Sequence, residues 1–307
     1  MEEVFNHYTV MLNEAVNGLN PRDGLIYLDG TLGGGGHSEL IAQKIGENGK
    51  LISFDIDDDA LKSAKERLQN YKNVTIVKRG YQEFEEVLSE LGIKKITGGL
   101  LLDLGASYYQ LTSKTRGFSF SSDAKLDMRF DYTREFSAYD LINTYSEEEL
   151  ADVFYYYGEE RYSRRLARNI VNQRKTNKIE TTSQLCEIIK KSLPYKNSRT
   201  NPATRIFQAI RIEVNDELKN IENTLKNIVP FLEKGARISV ITFHSLEDRI
   251  VKKIFKEFST SKNLEMGGCE EKFLELVNRK PIYPTDEEIR ENPPSRSAKL
   301  RVAEKIN

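Results

Sequence analysis

The sequence contains few of the side chains that bind metal ions or form disulfides. Its 307 residues include two cysteines, Cys186 and Cys269, and three histidines, His7, His37 and His244. None of these stands in the close, paired spacing that is typical of zinc ligands, and the two cysteines lie far apart in the chain. A zinc site and a disulfide framework are therefore not expected.

Long apolar runs are also missing. No stretch approaches the roughly 18 apolar residues that a membrane-spanning helix requires. Residues 1–5 (MEEVF) are acidic, unlike the basic start of a secretory signal peptide. We therefore expect a cytoplasmic protein.

The charge is nearly balanced overall, with 46 basic and 47 acidic side chains, but it is unevenly distributed. Residues 153–212 carry 13 basic and 4 acidic side chains, whereas residues 1–110 carry 11 basic and 17 acidic ones. A basic segment in a nearly neutral chain is typical of a surface that binds a polyanion. A solvated helical face would have the same composition, so both interpretations stay open.

The most informative motif is a glycine cluster that follows an apolar run. Residues 25–29 (LIYLD) precede Gly30, and further glycines stand at positions 33–36 before His37. An apolar strand that ends in a glycine turn and continues as a helix is where α/β proteins bind nucleotides, because glycine lets backbone N–H groups approach the ligand. A second apolar run ends in Asp55, whose carboxylate can accept hydrogen bonds from ribose hydroxyls.

This combination indicates a nucleoside site without deciding its chemistry. NAD, FAD and S-adenosylmethionine all fit a glycine corner followed by an acid. The glycines lack the G-x-G-x-x-G spacing that is usual in nicotinamide-dependent oxidoreductases, so that class is the weaker alternative.

The first 105 residues alternate short apolar runs with helical patterns, which predicts a doubly wound, mostly parallel sheet. The expected strands cover residues 25–28, 50–54, 74–77 and 98–102, and the expected helices cover 38–45, 60–68 and 83–91. Residues 113–201 show no convincing interior strand and read as polar helices. The α/β pattern then resumes with a long helix over 204–232, a buried strand over 237–243, a helix over 246–258 and a final edge strand over 299–303.

We therefore predict one discontinuous α/β domain with a helical insertion. The α/β domain would comprise residues 1–110 and 205–307, and the inserted helical, basic domain residues 111–204. Ligands of an open parallel sheet lie outside the carboxyl ends of its strands. Asp29, Asp55 and Asp103 all stand at such ends, and three such acids favour a ligand site because an unpaired buried carboxylate costs several kcal/mol.

Nine segments along nearly the whole chain resemble the ribosomal RNA small subunit methyltransferase H family, also called MraW. They are, in order, residues 7–12 (HYTVML), 29–38 (DGTLGGGGHS), 103–107 (DLGAS), 116–120 (RGFSF), 126–129 (LDMR), 157–161 (YGEER), 202–212 (PATRIFQAIRI), 243–249 (FHSLEDR) and 296–301 (RSAKLR). The resemblance implies a Rossmann-like class I methyltransferase fold. It also implies S-adenosylmethionine-dependent methylation of the N4 amine of a cytidine in the decoding region of small-subunit ribosomal RNA.

The resemblance also implies which residues contact the methyl donor: Gly35, Gly36, His37, Asp55, Tyr81, Asp103 and Gln110. Tyr81 stands where the family usually has Phe. Tyr108 and Tyr109 replace the Ser-Ser or Ser-Pro that commonly precedes the glutamine, and they lie where the target base would enter. Ala124-Lys125 and Asn201 are further departures, from Gly-Pro and His.

For catalysis we expect contributions from Asp103, Tyr108, Tyr109 and His244, with no metal required, since methyl transfer from a sulfonium needs none. The general base stays unassigned, and His244 is equally well explained as a residue that fixes the following turn. Four arginines at the helical spacing i, i+3, i+4 and i+7 form one cationic stripe, namely Arg161, Arg164, Arg165 and Arg168. The arginines expected to hold RNA phosphates are Arg161, Arg164, Arg165, Arg168, Arg199, Arg205 and Arg211.

The partner implied by the resemblance is small-subunit ribosomal RNA, either free or in the 30S particle, and a homodimer is left open. Two alternatives remain on the sequence alone. One is methylation of another RNA or DNA amino group, although the chain lacks the [Asp/Asn/Ser]-Pro-Pro-[Tyr/Phe] loop usual in DNA amino-methyltransferases. The other is a non-catalytic RNA-binding assembly factor, which would explain the basic segment but not three strand-end carboxylates.

Overall fold

The computed structural model describes residues 9–194, 201–260 and 272–307. The chain divides into two compact units, one formed by Met1–Gly105 with Leu218–Asn307 and the other by Ala106–Glu217. His7, Arg199 and Cys269 lie outside the described residues. Among the helices that the structure describes, none has both the length and the apolar character needed to cross a membrane.

The first unit contains a seven-stranded sheet of order β3-β2-β1-β4-β5-β7-β6. Strands β1 to β5 run parallel, and β7 pairs antiparallel with both β5 and β6. The strands are β1 (Ile26–Asp29), β2 (Lys50–Asp55), β3 (Val74–Lys78), β4 (Gly99–Asp103), β5 (Arg237–Thr242), β6 (Leu274–Leu276) and β7 (Lys299–Lys305).

Helices occur in both units. The first unit contains the helices that lie before Gly105 and those that follow residue 216, and the second unit contains the helices between them. In chain order the helices are α1 (Leu12–Leu19), α2 (Gly36–Lys44), α3 (Asp58–Leu68), α4 (Phe84–Glu90), α5 (Tyr108–Thr112), α6 (Ala138–Thr144), α7 (Glu147–Tyr156), α8 (Ser163–Thr176), α9 (Thr182–Ser192), α10 (Pro202–Val214), α11 (Glu217–Ile228), α12 (Ser245–Ser259) and α13 (Asp286–Glu291).

The central strands carry apolar side chains on both faces because helices cover both faces of the sheet. Leu28, Ile52 and Leu100 pack in one hydrophobic cluster with side chains of α4, α11 and α12. Their sequence neighbours Leu51 and Leu101 point the other way and pack with side chains of α1 and α2. The predicted doubly wound, mostly parallel sheet is confirmed.

The prediction that the last strand lies at the sheet edge is wrong. Strand β7 is an interior strand, since it bonds to β5 on one side and to β6 on the other. Sequence analysis missed β6 because it is three residues long and carries an exposed Glu275 at its centre. Such a segment has too little alternation to predict a strand.

The second unit is built around a single helical core. Leu141, Phe154, Leu166 and Ile189 belong to this core, and α10 packs against α6, α7 and α9. Because the apolar side of α10 faces these helices, the unit extends over Ala106–Glu217, whereas the sequence-based boundaries were 111 and 204.

The predicted single helix over 204–232 is also wrong, because the chain breaks between α10 and α11. Asp216 has a φ of 53°, and the buried side chain of Asn215 bonds to distant backbone. Its Oδ1 accepts a hydrogen bond from the N–H of Phe130 at 2.8 Å, and its Nδ2 donates to the carbonyl of Met128 at 2.8 Å. These bonds fix the turn that ends α10.

Candidate functional site

Strand-end acids meet at one edge of the sheet in the first unit. Asp29, Asp55 and Asp103 are the last residues of β1, β2 and β4, which are neighbours in the order β2-β1-β4. The carboxyl ends of parallel strands share an edge, and open α/β sheets bind their ligands there. The expectation that these acids end strands is confirmed.

The glycine cluster joins β1 to α2 in a tight turn. Gly35 precedes α2 with a φ of 81°, a conformation that L side chains rarely adopt. A Cβ on Gly36 would overlap the Thr9 hydroxyl, so the chain passes closer to Thr9 than any side chain would allow. The turn therefore leaves backbone N–H groups at the start of α2, where anionic groups bind.

Asp29 organises this turn. It is fully buried, and its Oδ2 accepts a hydrogen bond from the Ser38 hydroxyl at 2.6 Å while its Oδ1 accepts one from the N–H of Thr31 at 3.1 Å. Burial raises the pKa of Asp29 to about 6, and these hydrogen bonds oppose the rise. Both oxygens of Asp29 are engaged within the fold.

Asp55 connects the glycine turn to the start of α3. Its Oδ2 accepts a hydrogen bond from the N–H of Gly33 at 2.8 Å, and its Oδ1 accepts one from the N–H of Asp57 at 2.9 Å. Burial raises the pKa of Asp55 to about 6 against the pull of these bonds. Each carboxylate oxygen has a second lone pair, which leaves acceptor capacity for hydroxyl groups of a ligand.

Asp103 differs from the other two acids. Among the described residues, its Oδ1 is buried and accepts no hydrogen bond. Burial raises the pKa of Asp103 well above its ordinary value, and the negative charges of Asp29, Glu247 and Glu288 raise it further. A cation next to Asp103 would relieve both effects.

His37 stands beside Asp103 at the start of α2. Its Nε2 lies 3.1 Å from the carbonyl oxygen of Val10, which only accepts, so Nε2 carries a proton. Its Nδ1 lies 3.8 Å from Asp103 Oδ2. The structure therefore brings the glycine turn and Asp103 together through a buried histidine.

Glu247 is a buried acid that sequence analysis did not single out. It is fully buried in the first turn of α12, and its Oε2 accepts hydrogen bonds from the N–H groups of Phe243 at 2.7 Å and His244 at 3.2 Å. His244 Nε2 lies 3.1 Å from Glu247 Oε1, and His244 Nδ1 accepts from the Glu247 N–H at 3.5 Å. Sequence analysis predicted a helix over 246–258, but the pattern of that helix did not reveal that Glu247 turns inward.

Tyr81 follows β3 in the first unit and is half-buried, with its Cβ so close to Gly30 that a side chain at position 30 would collide with it. Gln110, Tyr108 and Tyr109 belong to the second unit, at the start of α5. Gln110 is buried, and its Oε1 accepts a hydrogen bond from the Ser107 N–H at 2.9 Å. Tyr108 is 51% exposed, whereas Tyr109 is half-buried.

Most of the expected RNA-binding arginines lie on the surface of the second unit. Exposed side chains are those of Arg161, Arg164, Arg165, Arg168 and Arg205. Arg168 pairs with exposed Glu147 at 3.3 Å, a contact of small energy.

Arg211 is different. Its Nε and one terminal nitrogen bond the two oxygens of Glu217 at 2.8 and 2.9 Å, and only 11% of its side chain is exposed. Arg211 is therefore engaged within the unit, and we leave it out of the phosphate contacts proposed below.

A glycine turn after β1, acids at the ends of β1, β2 and β4, and a parallel sheet continued by an antiparallel β7 together define a Rossmann-like class I methyltransferase. The sequence model of the MraW methylase family matches residues 4–306 of the chain. The chain belongs to this family, and the resemblance seen in its motifs is confirmed.

Two relatives are similar over nearly their whole length. The ribosomal RNA small subunit methyltransferase H of Brevibacillus brevis is 49% identical over 310 residues, covering 98% of each chain. The protein of the same name from Clostridium botulinum is 48% identical over 308 residues, covering 98% of this chain and 99% of its own. Among solved structures, an rRNA-methylase from Clostridium thermocellum described as putative aligns with a TM-score of 0.47 and 14% identity, over 98% of this chain and 100% of that one.

Proposed function

We propose that the protein transfers a methyl group from S-adenosylmethionine to the N4 amine of a cytidine in the decoding region of small-subunit ribosomal RNA. The observation that carries the proposal is the buried oxygen of Asp103, which has no hydrogen-bond partner in the part of the chain that the structure describes and lies among further acids in a chain of the MraW methylase family. Such a site favours a cationic ligand. The donor is a sulfonium cation with an additional ammonium group.

The residues present fit this donor. Asp103 suits the ammonium group, Asp55 suits the ribose hydroxyls, and the N–H of Gly36 suits the carboxylate of the methionine moiety. The N–H of Gly35 donates to the Leu32 carbonyl at 2.8 Å, so Gly35 would contribute by shaping the turn. Tyr81 and Gln110 would complete the binding site, with Tyr81 flanking the adenine ring. When bound, the donor supplies a methyl group that is activated toward nucleophiles.

The remaining task of the protein is to present a poor nucleophile. The lone pair of the cytosine amine is delocalised into the ring, so transfer requires an aligned approach and a group that accepts an amine hydrogen. We assign the holding of the base to Tyr108 and Tyr109, whose rings can stack on it. The N–H acceptor would be a carbonyl or carboxylate in the segment 103–109.

We assign His244 a positioning role. Both of its ring nitrogens face atoms of Glu247, so the imidazole is held at the start of α12. The charge of Glu247 contributes to the raised pKa of Asp103. His244 and Glu247 together would therefore adjust the electrostatics around Asp103.

The RNA itself would be held by the exposed arginines of the second unit, namely Arg161, Arg164, Arg165, Arg168 and Arg205. Cytosine in structured RNA must leave its stack to reach an enclosed site, and phosphate contacts on either side would support that conformation. Because ribosomal RNA is the substrate, we place the reaction in the cytoplasm.

The decisive experiment is mass spectrometry of nucleosides from small-subunit RNA before and after incubation with the protein and S-adenosylmethionine. We expect new N4-methylcytidine at one position in the decoding region. Free RNA and 30S particles are incubated in parallel, and the more efficient one identifies the form of the substrate. The absence of methyl transfer to both forms, or transfer to another atom, would contradict the proposal.

A further inference from the structure

Exposed aromatic rings lie at the end of α7 and immediately before α8. The side chains of Tyr155, Tyr156 and Tyr162 are 54%, 62% and 42% exposed. The rings of Tyr155 and Tyr156 contact each other edge to face, with centroids 5.2 Å apart and an interplanar angle of 83°. Aromatic rings grouped on a surface indicate contact with a ligand or partner more often than isolated ones do.

The fold fixes the position of these rings. Helices α7 and α8 pack against each other, and Arg168 of α8 reaches Glu147 at the beginning of α7, so the helices form an antiparallel hairpin. At its turn, a Cβ on Gly158 would lie 2.7 Å from the carbonyl oxygen of Phe154 and 3.3 Å from that of Arg205. The turn therefore lies against α10, next to Arg205.

The charge around the rings has one predominant sign. The exposed charged side chains of residues 152–168 are four arginines and two acids, Asp152 and Glu159. Glu160 is buried, and its Oε1 accepts a hydrogen bond from the Tyr162 N–H at 2.8 Å. Aromatic rings among cations, with the neighbouring acid turned inward, complement a strand of phosphates and bases.

Another exposed tyrosine of this unit shows a different arrangement. The ring of Tyr132 lies under the guanidinium of Arg116, 4.4 Å from the ring centroid, and Arg116 in turn donates to the carbonyls of Arg129 and Phe130. Tyr132 thus contributes to the local structure of its loop. The arginine beside Tyr132 is buried, whereas the arginines beside the hairpin rings are exposed to solvent.

We propose that Tyr155, Tyr156 and Tyr162 form a stacking surface for unpaired bases of the RNA substrate, while Arg161, Arg164 and Arg165 neutralise the adjacent phosphates. Stacking on aromatic rings is how proteins hold single-stranded RNA without reading its sequence. The inference rests on the proposed function, since it extends the contact with RNA beyond the target cytidine. It assigns unpaired, rather than duplex, RNA to this surface.

The test compares the binding of two labelled RNA probes to the full chain by fluorescence anisotropy, one a short unpaired oligonucleotide and the other a duplex. We expect the double variant Tyr155→Ala with Tyr156→Ala to bind the unpaired probe about tenfold more weakly. Its affinity for the duplex should stay within about twofold of wild type, because the arginines are retained.

Two further double variants distinguish stacking on an aromatic ring from simple contact with an apolar side chain. Replacement of both tyrosines by Phe keeps the rings and should retain wild-type affinity, whereas replacement by Leu keeps apolar bulk and should lose affinity as Ala does. Tyr283→Ala, at a 58% exposed tyrosine of the first unit, serves as the matched control and should bind both probes normally. Undiminished binding of the unpaired probe by the Ala variant, or an equal loss for both probes, would overturn the stacking surface.

Failure of this inference is distinguishable from failure of the proposed function. If wild-type protein forms N4-methylcytidine and the Ala variant binds unpaired RNA normally, only the stacking surface is refuted. If wild-type protein forms no N4-methylcytidine, the proposed function is refuted whatever the tyrosine variants do. Binding of a protein at this surface, with no loss of RNA affinity in the variants, also counts against the inference.

Discussion

At the scale of single residues, Asp103 is the strand-end acid whose ionisation is most favoured by a bound cation, because its pKa is raised furthest. Asp29 and Asp55 have both oxygens bonded to protein donors, whereas the Oδ1 of Asp103 is buried without one among the described residues. Position at a strand end was predictable for all three acids. The difference between them was not, because it depends on burial in the folded chain and on acids brought close by the fold, first Asp29 and then Glu247 and Glu288 from far along the chain.

The first prediction concerns the pH dependence of donor binding. The raised pKa of Asp103 keeps its carboxyl protonated to higher pH in the free protein, and a bound cation favours the ionised form, so a proton is released on binding. The affinity for S-adenosylmethionine should therefore rise with pH through this pKa. Calorimetric titration at a series of pH values measures the effect. The groups facing Asp103 are His37, Asp29, Glu247 and Glu288.

Asp103→Asn should weaken donor binding by about 1.5–3 kcal/mol, the range for a hydrogen bond to a charged group, and should flatten its pH profile. Asp152→Asn, at an exposed position of α7, is the control for loss of one negative charge. An Asn variant with the wild-type affinity and the wild-type pH profile would show that Asp103 does not meet the donor.

At the scale of helices and strands, the fold was predictable where a segment carries its own signal. The first four strands and the helices between them follow from apolar periodicity, and their bounds shift by one or two residues in the structure. The break between α10 and α11 was not predictable. Asn215 fixes it through the backbone at Met128 and Phe130, 87 and 85 residues earlier, and no local pattern shows such a partner.

This break gives the second prediction. Asn215→Ala would leave the part-buried N–H of Phe130 and the buried carbonyl of Met128 without their Asn215 partner, at a cost of about 1–3 kcal/mol per group. We expect the free energy of unfolding to fall by about 2–6 kcal/mol, as measured by urea denaturation followed by circular dichroism. Asn220→Ala, at a half-buried position of α11, provides a comparison outside the break. Equal stability of the Asn215 variant and wild type would mean that apolar packing alone ends α10.

At the scale of the whole molecule, charge is divided along the chain, with an acidic first part and a basic segment over 153–212. This division was visible in the sequence, and so was the expectation that the basic segment meets a polyanion. The sequence could not show which arginines are exposed and able to contact RNA. Arg211 belongs to the same segment, yet its guanidinium forms an ion pair with the buried carboxylate of Glu217.

The third prediction concerns the salt dependence of RNA binding. The triple variant Arg161→Glu, Arg164→Glu and Arg165→Glu should bind RNA more weakly and with a shallower slope of log affinity against log salt. The slope should fall by about two, since each lost contact with single-stranded RNA removes about 0.7. Anisotropy titrations over a range of potassium chloride concentrations measure this, and donor affinity should be unchanged.

A matched control reverses three exposed lysines of the first unit: Lys62→Glu, Lys65→Glu and Lys72→Glu. It changes the net charge by the same amount and should leave the slope closer to that of wild type. If both triple variants alter RNA binding equally, overall charge rather than the arginine surface governs the affinity.

The pairing of β4 with β5 has a consequence for how the chain folds. These neighbouring strands are separated by residues 104–236, so their contact closes a very long loop. Most helices of the second unit instead pack on partners that are close in sequence, such as α7 on α8. During synthesis the sheet therefore cannot be completed until β5 has been translated. We expect completion of the sheet to be among the last and slowest steps of folding.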